Sequence, residues 1–324
     1  MIKVAIIGYG NLGRGVERSL KQQKDMELVG VYTRRAPETV QTEGAQAFTM
    51  DQLKDKKGEI DVCILCGGSA TDLPTQTPEW THLFNTIDSF DTHAKIPEHF
   101  AKVDRVAKEN QKTSIISTGW DPGLFSLNRL YAQSILPVGE TNTFWGKGVS
   151  QGHSDALRRI EGVADAVQYT IPNSEVIEKL KAGEEHLTLT TRDKHFRECF
   201  VVLEDEIDPE KIREEIVSMP NYFVEYDTEV HFISQADLDQ NHKAMPHGGT
   251  VLHTGTTHEN TKQVIEYNLQ LESNPEFTAS VLVAYARACV RLAKEKQFGA
   301  YTVLDIAPKY LSDQTDEELR KELL

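Results

Sequence analysis

Over the first third of the chain, short apolar runs alternate with amphipathic stretches. Residues 3–7, 28–32, 61–65, 85–88 and 114–117 read as buried strands, and 12–22, 77–83 and 97–110 carry helical spacing between them. Strands and helices in that rhythm predict a doubly wound parallel sheet, an α/β arrangement. Beyond Gly119 the rhythm lengthens. Strand candidates at 141–145, 164–171, 195–202, 228–233 and 263–271 interleave with helix candidates at 155–160, 175–182 and 209–219, which predicts a second, α+β domain with a largely antiparallel sheet. A helix over 277–295 places Val281, Ala284, Tyr285, Ala288 and Leu292 on one face as a core stripe, and 316–324 predicts a charged terminal helix. The domain boundary falls near 119–136.

Composition narrows the class. A chain of 324 residues exceeds the size at which one core usually stops growing, and 39% hydrophobic with 26% charged residues is the balance of an ordinary globular protein. The net charge of -15, without a basic patch, argues against a nucleic-acid or anionic-membrane partner. No apolar run approaches the roughly twenty residues of a membrane helix. Met1-Ile2-Lys3-Val4-Ala5 enters a strand pattern directly, without the segments of a signal peptide, so a cytoplasmic protein is expected. Cys63 and Cys66 stand three apart on a strand and therefore face opposite ways. With Cys199 and Cys289 they read as small buried residues, neither a redox pair nor a disulfide framework. The eleven histidines show no paired ligand spacing, and no metal is predicted. His153-Ser154-Asp155 suggests a hydrolase on composition alone, but adjacent helical residues do not face one another.

The segment Gly8-Tyr9-Gly10-Asn11-Leu12-Gly13 follows a strand and opens a helix. Gly8 suits the tight turn, Gly10 the approach of backbone to a pyrophosphate, and Gly13 close helix packing, while the helix N-terminus offers unpaired N–H groups to phosphates. These are the marks of a Rossmann dinucleotide-binding domain, placed at 1–118, with the tail from about 300 to 324 packing back on it and 119–300 forming the second domain. After the second strand a carboxylate would hold the ribose of NAD. Here Thr33, Arg34 and Arg35 stand instead, donors suited to a 2′-phosphate, and the cofactor expected is NADP. Later strand ends feed the same crevice: Gly68, Ser69, Ala70 and Thr71; Ser89, Phe90 and Asp91; and Trp120, Asp121, Pro122 and Gly123.

With these residues the chain resembles the meso-diaminopimelate dehydrogenases. The likeness is carried by residues 8–14, by Ser117-Thr118-Gly119-Trp120-Asp121-Pro122-Gly123, by residues 150–159 beginning Ser150-Gln151-Gly152-His153, by Met245-Pro246-His247-Gly248-Gly249 and by residues 274–280 beginning Asn274-Pro275. It spans nearly the whole chain and is weakest at 255–262 and in the tail. The resemblance implies NADP-dependent oxidative deamination of meso-2,6-diaminopimelate at its D-centre, in a homodimer whose second domain binds substrate and dimerises. A zwitterion of this kind needs acceptors for its ammonium groups and donors for its carboxylates. Asp91 and Asp121 suit the reacting ammonium, and either is a candidate for the base that deprotonates it. The resemblance places both near the D-centre, with Trp120 and Trp145 as walls, Gln151 and Gly152 along the substrate, Arg197 and Thr170 on the distal carboxylate, and His247 and Asn274 completing the polar pocket. Two other readings compete: an NADP-dependent reductase of another amino-acid-derived carbonyl, and a non-catalytic NADP-binding sensor.

Overall fold

A computed structural model describes residues 1–183 and 189–324, and the chain divides into two compact units: residues 1–127 with 275–324, and residues 128–274. In the first unit, β1 (Ile2–Ile7), β2 (Met26–Thr33), β3 (Ala47–Thr49), β4 (Val62–Leu65), β5 (Thr86–Asp88) and β6 (Thr113–Ile115) join the strand Gly299–Tyr301 in one sheet. The order from that late strand is β6, β5, β4, β1, β2, β3, and every pairing is parallel. The strand order reverses at β1, which lies between β2 and β4. A crevice opens there at the carboxyl ends of the strands, the usual ligand position of such sheets.

The alternation of side chains assigns the two faces. Val4, Ile6, Val31, Val62, Ile64, Ile87 and Ile115 share one core with Val16 and Leu20 of the helix Asn11–Leu20 and with Leu282, Tyr285 and Cys289 of the helix Asn274–Lys294. Ala5, Ile7, Tyr32, Cys63 and Leu65 share the other with Leu73, Trp80 and Phe90. Cys63 and Cys66 thus belong to opposite cores, and all four cysteines are free thiols.

The second unit is narrower than the 119–300 drawn from sequence pattern, because the stripe of the helix Asn274–Lys294 is buried in the core of the parallel sheet. Arg287 on that helix is 3% exposed and donates to Asp25 and Gln23 on one side and to the Leu311 carbonyl of the tail on the other, which fastens the C-terminal segment to the same unit.

Residues 128–274 contain β7 (Gly139–Trp145), β8 (Gly148–Val149), β9 (Val163–Pro172), β10 (His195–Leu203), β11 (Asp227–Phe232), β12 (His247–His258) and β13 (Thr261–Leu271). They form two sheets, in the orders β11-β10-β9-β8 and β13-β12-β7. Among the described residues the pairings are antiparallel but for one, as the largely antiparallel expectation has it: β11 runs parallel to β10 after a crossover through the helix Pro209–Ser218. Ile212 and Ile216 of that helix and Leu157 of the helix Gln151–Arg158 cover Ala166, Cys199, Val201 and Val230 on one face of the first sheet. The long strand β12 is not visible in the sequence pattern, because its glycines and threonines dilute the alternation.

Candidate functional site

The strand β1 delivers its chain into a turn at Gly8, where φ is 89° and the N–H donates to the Tyr32 carbonyl at 2.9 Å. A Cβ on Gly13 would lie 2.4 Å from the Gly8 carbonyl oxygen, so this position admits only glycine. A Cβ on Gly10 would meet nothing within 4 Å; the space over that backbone is open. A cleft of about 280 Å³ borders Gly8, Tyr9, Gly10, Thr33, Arg34, Arg35, Gly67 and Gly68. Its cationic side is already organised. Arg35 donates from its guanidinium to the Tyr9 carbonyl at 2.6 Å and from its backbone to Thr33 Oγ1 at 3.1 Å, and Tyr9 is held in turn by its hydroxyl on Glu17. Arg34, largely exposed, pairs with Asp72 at 2.9 Å, and Asp72 also accepts the Gly68 N–H at 2.9 Å. The exposed Asn11 lies at the helix start, and Leu12 packs against the core beneath. Open space at Gly10, a helix N-terminus and two guanidiniums suit a dinucleotide with an added phosphate. Asp72 was not foreseen. Its signal was an acid just ahead of a helix that opens with proline, a pattern common to many helix caps.

Three strand-end loops follow. After β4, Ser69 Oγ accepts from the Asp91 N–H at 2.9 Å and donates to the Asp91 carboxylate, while Ala70 and Thr71 are exposed. After β5, Ser89 is half-buried, but Phe90 is 2% exposed and stacks on His99 at 4.3 Å between ring centres. Phe90 therefore offers a ligand backbone rather than ring. After β6, residues 119–123 close on themselves. Gly123 has φ 138°, and a Cβ there would lie 1.7 Å from the Gly119 carbonyl oxygen; Trp120 is 7% exposed and packs edge-on against Phe125 at 5.2 Å. Asp121 and Pro122 are half-buried in this turn. Asp91 and Asp121 accordingly leave the same ends of neighbouring strands.

In the second unit one face of the mixed sheet carries a polar row. Thr170 of β9 and Thr228 of β11 both stand opposite Arg197 of β10, and Gly148 of β8 stands opposite Thr170. Arg197 is 6% exposed, donates to Thr170 Oγ1, and lies with its guanidinium carbon 3.9 Å from the centre of the Tyr226 ring. Its Nε and the Thr228 hydroxyl are buried without hydrogen-bond partners, and among the described residues no carboxylate pairs with it. Burial pulls its pKa below the ordinary arginine value. Its charge acts on three histidines. Burial and Arg197 push His153 and His195 down to about 4, and burial with Arg197 also lowers His247, whose ring lies against Gly148 where a Cβ would fall. A buried cation whose neighbouring imidazoles are held less basic has the chemistry to take up an anion.

The remaining predicted residues surround this row unevenly. Trp145 donates its N–H to His195 Nε2 at 2.8 Å and stacks on that ring at 5.4 Å. Gln151 is exposed and contacts Met245 Sδ at 3.2 Å; Gly152 has open space where its Cβ would be. Asn274 donates its N–H to the Met245 carbonyl at 3.0 Å. Ser154 is no nucleophile: its hydroxyl donates to the Ser150 carbonyl and accepts from the Gln168 N–H, while His153 bonds Ser150 and Asp155 pairs with Arg158. Among the described residues no group of three His, Cys, Asp or Glu side chains is placed to hold a metal, and no helix is long and apolar enough to cross a membrane. Sequence reasoning missed Tyr226 and His195, and named His153 only in the family likeness and the hydrolase pattern, not beside Arg197. The available signal was Arg197 itself, a charge between His195 and Cys199 on the buried face of β10.

The two neutral histidines carry a pH dependence. Their folded pKa near 4 lies below the ordinary value of about 6.5, so the unfolded chain binds protons that the folded chain refuses. Their stabilisation is complete above about pH 6.5 and is lost as pH falls from there towards 4. For His195, 3% exposed, the loss between pH 7 and pH 4.5 is on the order of 2–3 kcal/mol. His195→Gln keeps an acceptor for the Trp145 N–H and flattens the acid limb in calorimetry; an unchanged limb assigns the titration elsewhere.

Residues 119–273 match the diaminopimelic acid dehydrogenase C-terminal domain family. The meso-diaminopimelate D-dehydrogenase of Ureibacillus thermosphaericus is 59% identical, over 100% of this chain and 99% of its own length. Among solved structures, the Corynebacterium glutamicum DAP dehydrogenase in complex with DAP superposes with a TM-score of 0.92 at 45% identity, covering 100% of this chain and 99% of that one. An engineered D-amino acid dehydrogenase bound to NADP+ gives 0.87 at 44% identity, with 100% and 99% covered. Matched end to end at such identity, the chain belongs to the meso-diaminopimelate D-dehydrogenase family.

Proposed function

We propose that the protein oxidatively deaminates meso-2,6-diaminopimelate at its D-centre with NADP, giving L-2-amino-6-oxopimelate, ammonium and NADPH. The observation that carries the substrate is Arg197, a buried guanidinium with no carboxylate partner among the described residues, which receives the carboxylate distal to the reacting carbon. Thr170 and the row beside it hold that guanidinium, and His247, Asn274, Gln151 and Gly152 line the remaining path of the substrate. Gly8 to Gly13 hold the pyrophosphate on the helix N-terminus, with Thr33, Arg34 and Arg35 on the 2′-phosphate. When bound, the nicotinamide supplies the hydride acceptor.

The chain's own part is proton handling and placement. Asp91 and Asp121 hold the reacting ammonium, and one of them takes its proton before the C–H bond is broken. Water then adds to the resulting imine and ammonium leaves, so that the substrate in its ammonium form, NADP+ and water become ketone, free ammonium, NADPH and one proton. Trp120, 7% exposed, shields this centre from bulk water, and Trp145 is the second wall that the family likeness implies.

A homodimer is part of the same reading. Leu130, Tyr131, Ile135 and Val138 of the second unit are between 43% and 72% exposed, an apolar group suited to a second copy, and sedimentation as a monomer would remove that element. A cytoplasmic site fits four free thiols, and recovery in an exported fraction would oppose it.

Incubation with NADP and meso-diaminopimelate yields absorbance of NADPH and an equal amount of ammonia. Reduction of NADP without ammonia points to a carbonyl reductase, and NADP binding without turnover to a sensor. In the same assay Arg34→Ala/Arg35→Ala raises KM for NADP about tenfold or more and leaves NAD almost unaffected.

A further inference from the structure

We infer that Asp88, a carboxylate that touches neither substrate nor cofactor in the proposed reaction, is the positioning residue that fixes the two loops bearing Asp91 and Asp121. The inference rests on the role proposed above for those two aspartates. Asp88 ends β5, is 0% exposed, and uses both oxygens fully. Oδ1 accepts the N–H of Phe90 at 3.0 Å and the N–H of Ser117 at 2.9 Å. Oδ2 accepts from Thr77 Oγ1 at 2.7 Å and bonds His99 Nε2 at 2.8 Å. Its own carbonyl accepts the Thr118 N–H at 2.9 Å. One residue therefore grips the loop after β5 and the loop after β6 at once.

The grip is directed at places the backbone would not otherwise hold. Ser117 has φ 54°, a left-handed conformation that costs a non-glycine residue about 1 kcal/mol, and its N–H has Asp88 as its fixed partner. Phe90 stacks on His99, which is itself bonded to Asp88, so the base of the Asp91 loop is set from both sides while Ser69 holds its tip. Desolvating a carboxylate is costly, and the four hydrogen bonds that Asp88 makes offset that cost. What the carboxylate adds is direction. Two N–H groups from separate loops converge on one oxygen, which fixes the distance between the loop bases, and a displacement of about 1 Å at a reacting group costs on the order of 10²-fold in rate.

The test uses the full-length protein and separates placement from folding. Asp88→Asn retains an oxygen for Phe90 and Ser117 but presents an NH₂ to Thr77 and His99. Asp88→Leu fills the volume and bonds nothing. For folded Asp88→Asn we expect kcat with meso-diaminopimelate to fall about 30-fold, with KM and the NADP dissociation constant, measured by calorimetric titration, within about threefold of the parent; folded Asp88→Leu falls further in kcat alone. A kcat within twofold of the parent in either folded variant overturns the inference. Should both fail to fold, Thr77→Val removes one bond and keeps the shape; a fall in kcat of about fivefold at constant KM supports the inference, and no fall overturns it. Asp91→Asn and Asp121→Asn are measured alongside. Loss of turnover in these with full turnover in the Asp88 variants defeats the positioning role alone, whereas full turnover in both defeats the reading of the two aspartates and the inference built on it.

Discussion

Arg197→Met lowers kcat/KM for meso-2,6-diaminopimelate by about 10²- to 10³-fold and does not lower the melting temperature. The two halves of this result have one cause. Breaking a buried, hydrogen-bonded charge pair by removing one partner costs about 2–5 kcal/mol, and here the missing partner is met only when a carboxylate enters. In the free protein Arg197 is a desolvated cation held by Thr170 and by the face of Tyr226, so an apolar side chain of comparable length removes a cost rather than a support. His153 and His195 also lose a positive neighbour and titrate at higher pH in the variant. Selectivity moves with the charge: D-amino acids with short apolar side chains gain relative to the diacid. An undiminished preference for meso-diaminopimelate shows that Arg197 does not read the distal carboxylate, and a fall of many degrees in melting temperature makes it a structural residue.

Gly10→Ala and Gly13→Ala differ in kind although the two glycines lie three residues apart. At Gly13 the added carbon falls 2.4 Å from the carbonyl oxygen of Gly8, whose backbone is tied to Tyr32, so the turn or the helix must shift. We expect a loss of about 2–3 kcal/mol in stability together with poor NADP binding. At Gly10, with φ -104° and ψ -151°, alanine is unstrained and its methyl meets nothing within 4 Å. Stability is unchanged, yet NADP affinity falls at least about tenfold, because that methyl stands where the pyrophosphate approaches the chain. Thermal melts and calorimetric titration on the two proteins separate the effects. Normal NADP affinity in Gly10→Ala places the pyrophosphate elsewhere.

Local features were legible in the sequence, and features assembled from distant segments were not. The strands and helices of the parallel sheet follow from two periodicities and their breaks, each contained in about a dozen residues. The glycine fingerprint and Thr33-Arg34-Arg35 are similarly local. Strand direction is not: β11 lies parallel to β10 because a helix intervenes, and the sequence pattern of either strand is compatible with both directions. The three-residue strands Ala47–Thr49 and Gly299–Tyr301 are too short to show alternation. In the site, Arg197 was reached through family likeness, since a lone arginine in a strand is usually solvated. Its setting of Tyr226, His153 and His195 exists only after β9, β10 and β11 are side by side. Asp88 was hidden for the opposite reason, as one more acid in a stretch where Asp91 drew the chemical reading.

The strand Gly299–Tyr301 and the helix Asn274–Lys294 also govern the order in which the molecule is completed during synthesis. While residues up to 274 emerge, the parallel sheet has an open edge at β6 and lacks the helix that covers one of its faces. The inserted segment 128–274 by then contains every strand of both its sheets. It therefore has its own strands complete earlier than the nucleotide half, which, although translated first, lacks an edge strand and a covering helix until residues 275–301 are made. Expression failures of C-terminally shortened chains should therefore come from aggregation of the N-terminal half.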